Sequence, residues 1–374
     1  MAVYIEKLSI DGFRGIHKLA IDRTNHVNIV VGDNNCGKTS ILEAILLLRN
    51  PMDFANVLRI ARLRNIPFSA GGAPSIYENY IGLFPKDEAK LAIGVNALCK
   101  NAFSTYCLSG EQKKIMLDPE DLVKRLPLAQ RKRALHEYGS APVETDAFAG
   151  EIQYDFGEYK GKFEVDINAY SSVSGREVDM GDFLDMVYLA PFNHVIGNVF
   201  NTIIRNDSYK EICLQVLRMF DPDIADLLIL RNESNDRPVE YVKHIKLGNM
   251  PLSTYGDGIK KVLSIANGIA QAAGGVLLID EVDTAIHSQY YNDIFRFIAK
   301  ACMQFEVQLF LTTHSKEAVD GFLGTQDYDT QNEYDDIQVI TLKKEIGDRK
   351  TYSRVLHGRK VFANREQFNF EVRL

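Results

Sequence analysis

The run from Val27 to Leu48, VNIVVGDNNCGKTSILEAILLL, restricts what this chain can fold into more than any other stretch. Val27, Ile29, Val30 and Val31 form a short β-branched run that reads as a fully buried strand. Gly32 to Thr39 then fill every fixed position of G-x-x-x-x-G-K-[ST]. A helix is predicted next, with Ile41, Leu42, Ile45, Leu46 and Leu48 as its apolar positions. Strand, glycine-rich loop and helix in that order make a phosphate cradle. Gly32 and Gly37 let the backbone turn so that its N–H groups point at phosphate oxygens. The helix N-terminus adds partial positive charge. Lys38 places a full charge on the β- and γ-phosphates, and the Thr39 hydroxyl is a ligand for Mg²⁺. The candidate nucleotide-binding residues are therefore Gly32, Asn34, Asn35, Cys36, Gly37, Lys38, Thr39 and Ser40. The pattern predicts a nucleoside triphosphate site.

A second stretch supplies the carboxylates such a site needs. Gly274 to Glu281, GGVLLIDE, is an apolar strand ending in two adjacent acids. Consecutive strand residues point to opposite sides, so Asp280 and Glu281 are expected to do different jobs. In P-loop enzymes the first carboxylate helps hold Mg²⁺, which makes Asp280 the second metal candidate beside Thr39. The second, near the γ-phosphate, polarises the attacking water as general base, a role assigned to Glu281. A further buried strand, Leu309 to Thr313, ends at His314. Upstream, Leu252 to Lys261, LSTYGDGIKK, is a small-residue and glycine-rich turn opening a helix, VLSIANGIAQAA. That arrangement suits an anion.

Composition narrows the class. The 374 residues are 46% hydrophobic and 25% charged, ordinary globular material. A net charge of −7 and a pI near 5.7 give no global basic field for nucleic acid, so any such contact needs a local patch. Two basic clusters qualify: Arg59, Arg62 and Arg64, and Lys124, Arg125, Arg131, Lys132 and Arg133. No run approaches the ~18 apolar residues of a membrane span, and the N-terminus lacks a signal pattern. Five scattered cysteines without a C-x-x-C pair suit a reducing compartment, so a cytoplasmic location is expected.

Along the chain, residues 3–10 alternate like a strand, and Asp11 to Gly15 make a glycine-bounded corner. Residues 52–66 read as helix and Ser69 to Pro74 as loop. Strands are expected between 89 and 117, then a polar insert over 118–148, then strands again over 151–171 with a hairpin tip at Gly157 to Gly161. DMVYLAP, 185–191, reads as one more buried strand. Residues 207–229 read as helical material broken at Pro222, with Met219, Phe220, Leu227, Leu228 and Leu230 as helix-packing residues. No heptad repeat of coiled-coil length appears.

These motifs in this order resemble the ABC-type ATPases of the RecF, SMC and overcoming-lysogenization-defect (OLD) branches, the AAA15–AAA21 group. IEKLSIDGFRGI is similar to their N-terminal hairpin, which implies that Arg14 helps hold the nucleotide. The turn before IDE resembles the ABC signature motif, although it departs from the LSGGQ spelling. The resemblance implies that Ser253 (or Thr254), Gly256 and Gly258 complete a partner subunit's site. Asp283 to His287 stands in the place of the D-loop that contacts the dimer partner, and IDEVDTAIH is especially like the OLD and AAA15–AAA21 spelling. His314 resembles the switch histidine that contacts the γ-phosphate. The coupling glutamine of the family has two candidates here, Gln153 and its polar substitute Asn193.

The resemblance implies an α/β fold: a P-loop NTPase, an ABC-ATPase head with an inserted antiparallel β layer and a helical lobe. One domain is expected over 1–374. It divides into a phosphate-loop lobe (1–85), the β insert and a core strand (86–190), the helical lobe (191–250), and a signature, carboxylate and histidine lobe with its tail (251–374). The implied reaction is Mg²⁺-dependent ATP hydrolysis, with Lys38, Glu281 and His314 as catalytic residues and ATP held between two subunits of a homodimer or higher homo-oligomer. About 60 residues follow His314, short of a typical domain, so a nuclease is expected on a separate chain. Stand-alone proteins of this type resemble the ATPase components of anti-phage defence systems, paired with a nuclease, toxin or reverse-transcriptase effector. The alternatives are a RecF-like DNA-repair clamp and a scaffold that binds ATP with little turnover.

Overall fold

Two kinds of strand pattern build two kinds of sheet. The computed structural model describes residues 3–65, 74–86, 91–119, 142–171, 182–195, 200–231, 236–328, 335–344 and 350–368. In chain order the strands are β1 (Ile5–Phe13), β2 (Ile16–Ile21), β3 (Val27–Gly32), β4 (Leu91–Cys99), β5 (Ala102–Leu117), β6 (Val143–Phe156), β7 (Tyr159–Asn168) and β8 (Met186–Leu189). They continue as β9 (Ile224–Arg231), β10 (Pro238–His244), β11 (Gly248–Pro251), β12 (Val276–Ile279), β13 (Gln308–Thr312), β14 (Ile337–Lys344) and β15 (Thr351–His357). Among the described residues they form an outer sheet β2-β1-β4-β5-β6-β7, an inner sheet β15-β14-β3-β13-β12-β8, and a small sheet β11-β10-β9.

Alternating sequence makes the outer sheet. In LAIGVNALC of β4 every second residue is buried, which suits a strand with one face on a core. Its pairings are antiparallel throughout, with two-residue turns at Lys100-Asn101, both at positive φ, and at Gly157-Glu158. Continuous apolar runs make the inner sheet. β3, β12 and β13 are buried along their whole length, and β14, β3, β13, β12 and β8 run parallel with β15 antiparallel at the edge.

The inner sheet divides two cores. Val30, Leu278, Phe310 and Ile340 face one side, where Ile41, Leu42 and Ile45 of the phosphate-loop helix Lys38–Ile45 pack with the outer sheet. Ile29, Leu277, Leu309 and Val339 face the other, against the helices Asp207–Phe220, Asp257–Gln271, Tyr291–Gln304 and Lys316–Leu323. Burying one such side chain stabilises by about 1.5–3 kcal/mol, and truncating Phe310 to alanine would cost about 3–5 kcal/mol. The inner sheet is therefore clamped on both faces.

Three expectations change. The helix ends at Phe220, at the expected break, because Asp221 is extended and Pro222 cannot continue the ladder, but the residues after the break are not helical as expected. Ile224–Arg231 is instead β9, paired with β10, so Leu227, Leu228 and Leu230 are strand residues and the segment expected as a helical lobe carries the small sheet beside its helices. A short apolar run does not distinguish helix from strand by itself. β6 begins at Val143, inside the expected polar insert. The helix after the glycine-rich turn starts at Asp257 rather than Val262. Residues 69–73 of the expected loop and the basic cluster Lys124, Arg125, Arg131, Lys132 and Arg133 lie outside the described residues. No described helix is long and apolar enough to cross a membrane.

Candidate functional site

In a parallel sheet, the carboxyl ends of neighbouring strands all open on one side, and that is where ligands bind. Here β13 lies between β3 and β12, with β8 next. The phosphate loop, the end of β13, the two acids and the residues after β8 thus emerge side by side.

The loop itself is built for close approach. Gly32 has φ +147, and a Cβ there would sit 2.4 Å from the Leu342 carbonyl oxygen and 2.8 Å from Cys36 Sγ. Gly37 has φ +105 and caps the helix that begins at Lys38. Larger residues would strain both positions. Asn34 and Asn35 are exposed and Cys36 is buried. The Lys38 ammonium donates to the carbonyls of Gly32 and Asp33, each at 2.8 Å. Burial pushes its pKa down, opposed by Cys36, Asp280, Asp33 and Glu281.

Asp280 is the hub. Its carboxylate accepts from Thr39 Oγ1 at 2.9 and 3.1 Å, from Thr312 Oγ1 at 2.6 Å and from the Tyr188 hydroxyl at 3.5 Å. Burial, with the nearby Asp280 and Glu43 charges, raises the Tyr188 phenol, so it stays a protonated donor. The hydroxyl of Thr312 also accepts the Glu281 N–H at 2.8 Å, so one side chain fixes both acids. The expectation that alternation along a strand separates the two acids is corrected: β12 ends at Ile279, and Glu281 has φ +49. A left-handed turn redirects it instead. Its carboxylate accepts from Thr284 Oγ1 at 3.2 Å, and its carbonyl accepts the Thr284 N–H at 3.1 Å and Lys261 Nζ at 3.3 Å.

His314 follows β13 and is half-buried. Its neighbour Thr313 donates to Asp283 at 2.6 Å and accepts the Ser315 N–H at 3.0 Å, which ties the histidine turn to the D-loop stretch. Ser253 and Gly256 are exposed at the turn opening the helix Asp257–Gln271. Thr254, exposed as well, donates its Oγ1 hydrogen to the Pro251 carbonyl within that turn. A Cβ on Gly258 would lie 3.1 Å from the Ala285 carbonyl oxygen, so this helix start packs on the D-loop stretch.

Arg14 is placed on a carboxylate. Its Nε lies 2.6 Å from Oε2 of Glu43, a fully buried residue of the phosphate-loop helix, and its guanidinium donates to the Ile60 carbonyl. Arg64 grips the same carboxylate at 2.9 and 2.7 Å and reaches Ser40 Oγ at 3.1 Å. Arg59 pairs with Asp53. Gln153 is exposed on β6 and bonded to Glu151, whereas Asn193 sits in the turn after β8, beside the site. Sequence reasoning misses Glu43, Tyr188, Lys261 and Thr312. The threonine ending the strand before His314 is the one available signal.

Residues 3–110 match the AAA15 family model, described as an AAA ATPase domain, and residues 173–320 match the AAA21 model, described as an AAA domain, putative AbiEii toxin, type IV TA system. The chain is an ABC-type ATPase of this group. Across 334 residues it is 24% identical to an ATP/GTP phosphatase of Helicobacter pylori, covering 84% of this ATPase and 86% of that protein. It is 22% identical to Septu protein PtuA of Bacillus thuringiensis over 84% of its own length and 72% of the relative's. Identity to the DNA replication and repair protein RecF of Oenococcus oeni is 30%, over 37% of this chain and 38% of that one. An SMC head solved with the C-winged helix domain of ScpA superposes with a TM-score of 0.50 at 13% identity, covering 96% of this ATPase and all of that chain, a likeness of fold. The fold is that of a P-loop ABC ATPase head.

Proposed function

We propose that this ATPase is a nucleotide-driven switch or clamp that binds ATP and Mg²⁺, closes head to tail as a homodimer or higher homo-oligomer, and controls a separate effector. The observation that carries the reading is the Thr39–Asp280–Thr312–Glu281 cluster at the end of the phosphate-loop sheet. Thr39 and Asp280 offer oxygen donors in contact with each other, the donor set that Mg²⁺ prefers. Bound there, Mg²⁺ would neutralise phosphate charge. Lys38 holds the phosphates, Glu281 takes the proton of the attacking water, and His314 faces the γ-phosphate. Ser253, Gly256 and Gly258 meet the nucleotide of a second subunit.

The resemblance of the motifs to stand-alone defence ATPases, and the AbiEii description of the second family model, support a role in an anti-phage complex with a nuclease, toxin or reverse-transcriptase effector. The RecF identity favours a second reading, a DNA-repair clamp. DNA or RNA contact through the 124–133 cluster belongs to either.

Glu281→Gln tests the switch. It keeps size and hydrogen bonding but not the base, so ATP should bind, turnover should fall by about 10²-fold or more, and an ATP-dependent dimer should outlive that of the wild type in light scattering. Wild-type turnover in this variant would remove the general-base assignment.

A further inference from the structure

Lys261 is only 2% exposed, on the second turn of the helix that begins at the signature turn. A lysine is seldom buried without a dedicated partner. Its ammonium lies 3.3 Å from the Glu281 carbonyl oxygen and 3.5 Å from that of Pro191. The acids that attract it are Asp283, Asp280 and Glu281. These partners belong to two different segments, the turn after β12 and the turn after β8.

The Glu281 carbonyl matters because of the backbone it belongs to. A non-glycine residue at φ +49 is disfavoured and persists only where its surroundings over-determine it. The N–H of Glu281 is fixed by Thr312, and its carbonyl by Thr284 and Lys261. Lys261 is the one charged group among these. It binds the carbonyl from the helix side, so rotating the peptide plane after Glu281 towards an ordinary conformation costs a buried ammonium the shorter of its two hydrogen bonds. The direction of the Glu281 carboxylate depends on that plane.

We propose that Lys261 is a positioning residue for hydrolysis: it captures the Glu281 carbonyl, holds the left-handed turn, and so aims the carboxylate at the water. The proposal rests on Glu281 acting as the general base. Lys261 touches neither nucleotide nor water in this role, so nucleotide affinity is independent of it.

The test compares Lys261→Met, Lys261→Arg, Glu281→Gln and the Met/Gln double variant in the full chain. Steady-state ATP hydrolysis, calorimetric ATP affinity and thermal melting are measured on each. Lys261→Met should lower kcat by about 10- to 100-fold, the size of effect a misplaced catalytic group produces, with Kd within about twofold of wild type in protein that thermal melting shows to be folded. Lys261→Arg should recover most of the rate. In the Glu281→Gln background Lys261→Met should add no further loss, because a positioning residue has nothing left to position. If Lys261→Met does not fold, Lys261→Gln repeats the comparison without the charge. Wild-type kcat in Lys261→Met, a Kd that weakens in step with kcat, or multiplicative losses in the double variant would each overturn the proposal. An inactive Glu281→Gln beside a fully active Lys261→Met refutes this inference alone. A fully active Glu281→Gln refutes the base reading, and this proposal with it.

Discussion

The inner and outer sheets are both six strands wide among the described residues, yet they spend their polar groups differently. The outer sheet carries charges on its exposed face: Lys114 with Glu144, Lys160 with Asp155, Lys162 with Glu151. Pairs like these, out in solvent, contribute little, and salt screens them. The inner sheet gathers its polar groups at buried strand ends, where Asp280, Thr312 and Thr39 satisfy one another. A parallel sheet clamped between two cores fixes strand ends in register, and chemistry requires that fixity. An antiparallel sheet with one wet face supports the phosphate-loop helix without carrying the reaction. The sheets differ in what a lost side chain should do.

The largest contrast is between two lysines. Lys38→Ala removes the charge aimed at the phosphates while its methylene stem contributes little packing, so ATP affinity should fall by about 10²- to 10³-fold or more with the fold retained. Lys114→Ala, on the outer sheet, should leave both affinity and melting temperature unchanged. Calorimetry on the pair decides it: tight ATP binding by folded Lys38→Ala would break the assignment of the phosphate site.

Next comes the bolt between the two regions. Arg14 stands at the corner between β1 and β2 and reaches Glu43 on the phosphate-loop helix, which Arg64 grips from the other side. Removing one partner of a buried ion pair typically costs about 3–5 kcal/mol, because the other charge, here Arg14, stays largely buried and loses its partner, while the exposed Arg64 returns to solvent. Glu43→Gln should therefore lower unfolding stability by about 3 kcal/mol in denaturant titration. A loss under about 0.5 kcal/mol would show that the sheets are held together by apolar packing alone.

The same division explains what is legible in the sequence. The phosphate loop and the acid pair are legible because each is one continuous stretch whose spacing is dictated by the ligand. The motifs lead one to expect Asp280 and Thr39 side by side, and the structure brings the hydroxyl and the carboxylate into contact. Glu43 and Lys261 carry no such signal: one looks like an ordinary charged residue on a helix, the other like the last residue of a polar turn, and only tertiary packing buries them. Ile224–Arg231 misleads for a related reason: pairing with β10, which begins at Pro238, decides between strand and helix there. For Glu281 the spelling gives the identity but not the geometry, as a local left-handed turn leaves no trace in an acid's neighbours.

The smallest expected effect concerns the entrance to the inner sheet. His26 immediately precedes β3, is 2% exposed, and its carbonyl accepts the Leu309 N–H at 2.7 Å. Burial pushes its imidazole down to about 4 from the ordinary 6.5. The unfolded chain therefore takes up a proton at a pH where the folded chain does not. The stability that a neutral His26 contributes is complete above about pH 6.5 and is lost as the pH falls towards 4. Between pH 7 and 5 that loss amounts to about 1–2 kcal/mol. His26→Phe, which fills the site without a titrating group, should remove this part of the acid sensitivity. Carboxylates elsewhere in the chain titrate in both proteins, so the informative quantity is the difference in unfolding free energy between variant and wild type at each pH. That difference should move in favour of His26→Phe by about 1–2 kcal/mol from pH 7 to pH 5. A difference constant over the interval would mean that the imidazole meets solvent or a counter-charge, and that the inner sheet is less sealed at this end than at the nucleotide end.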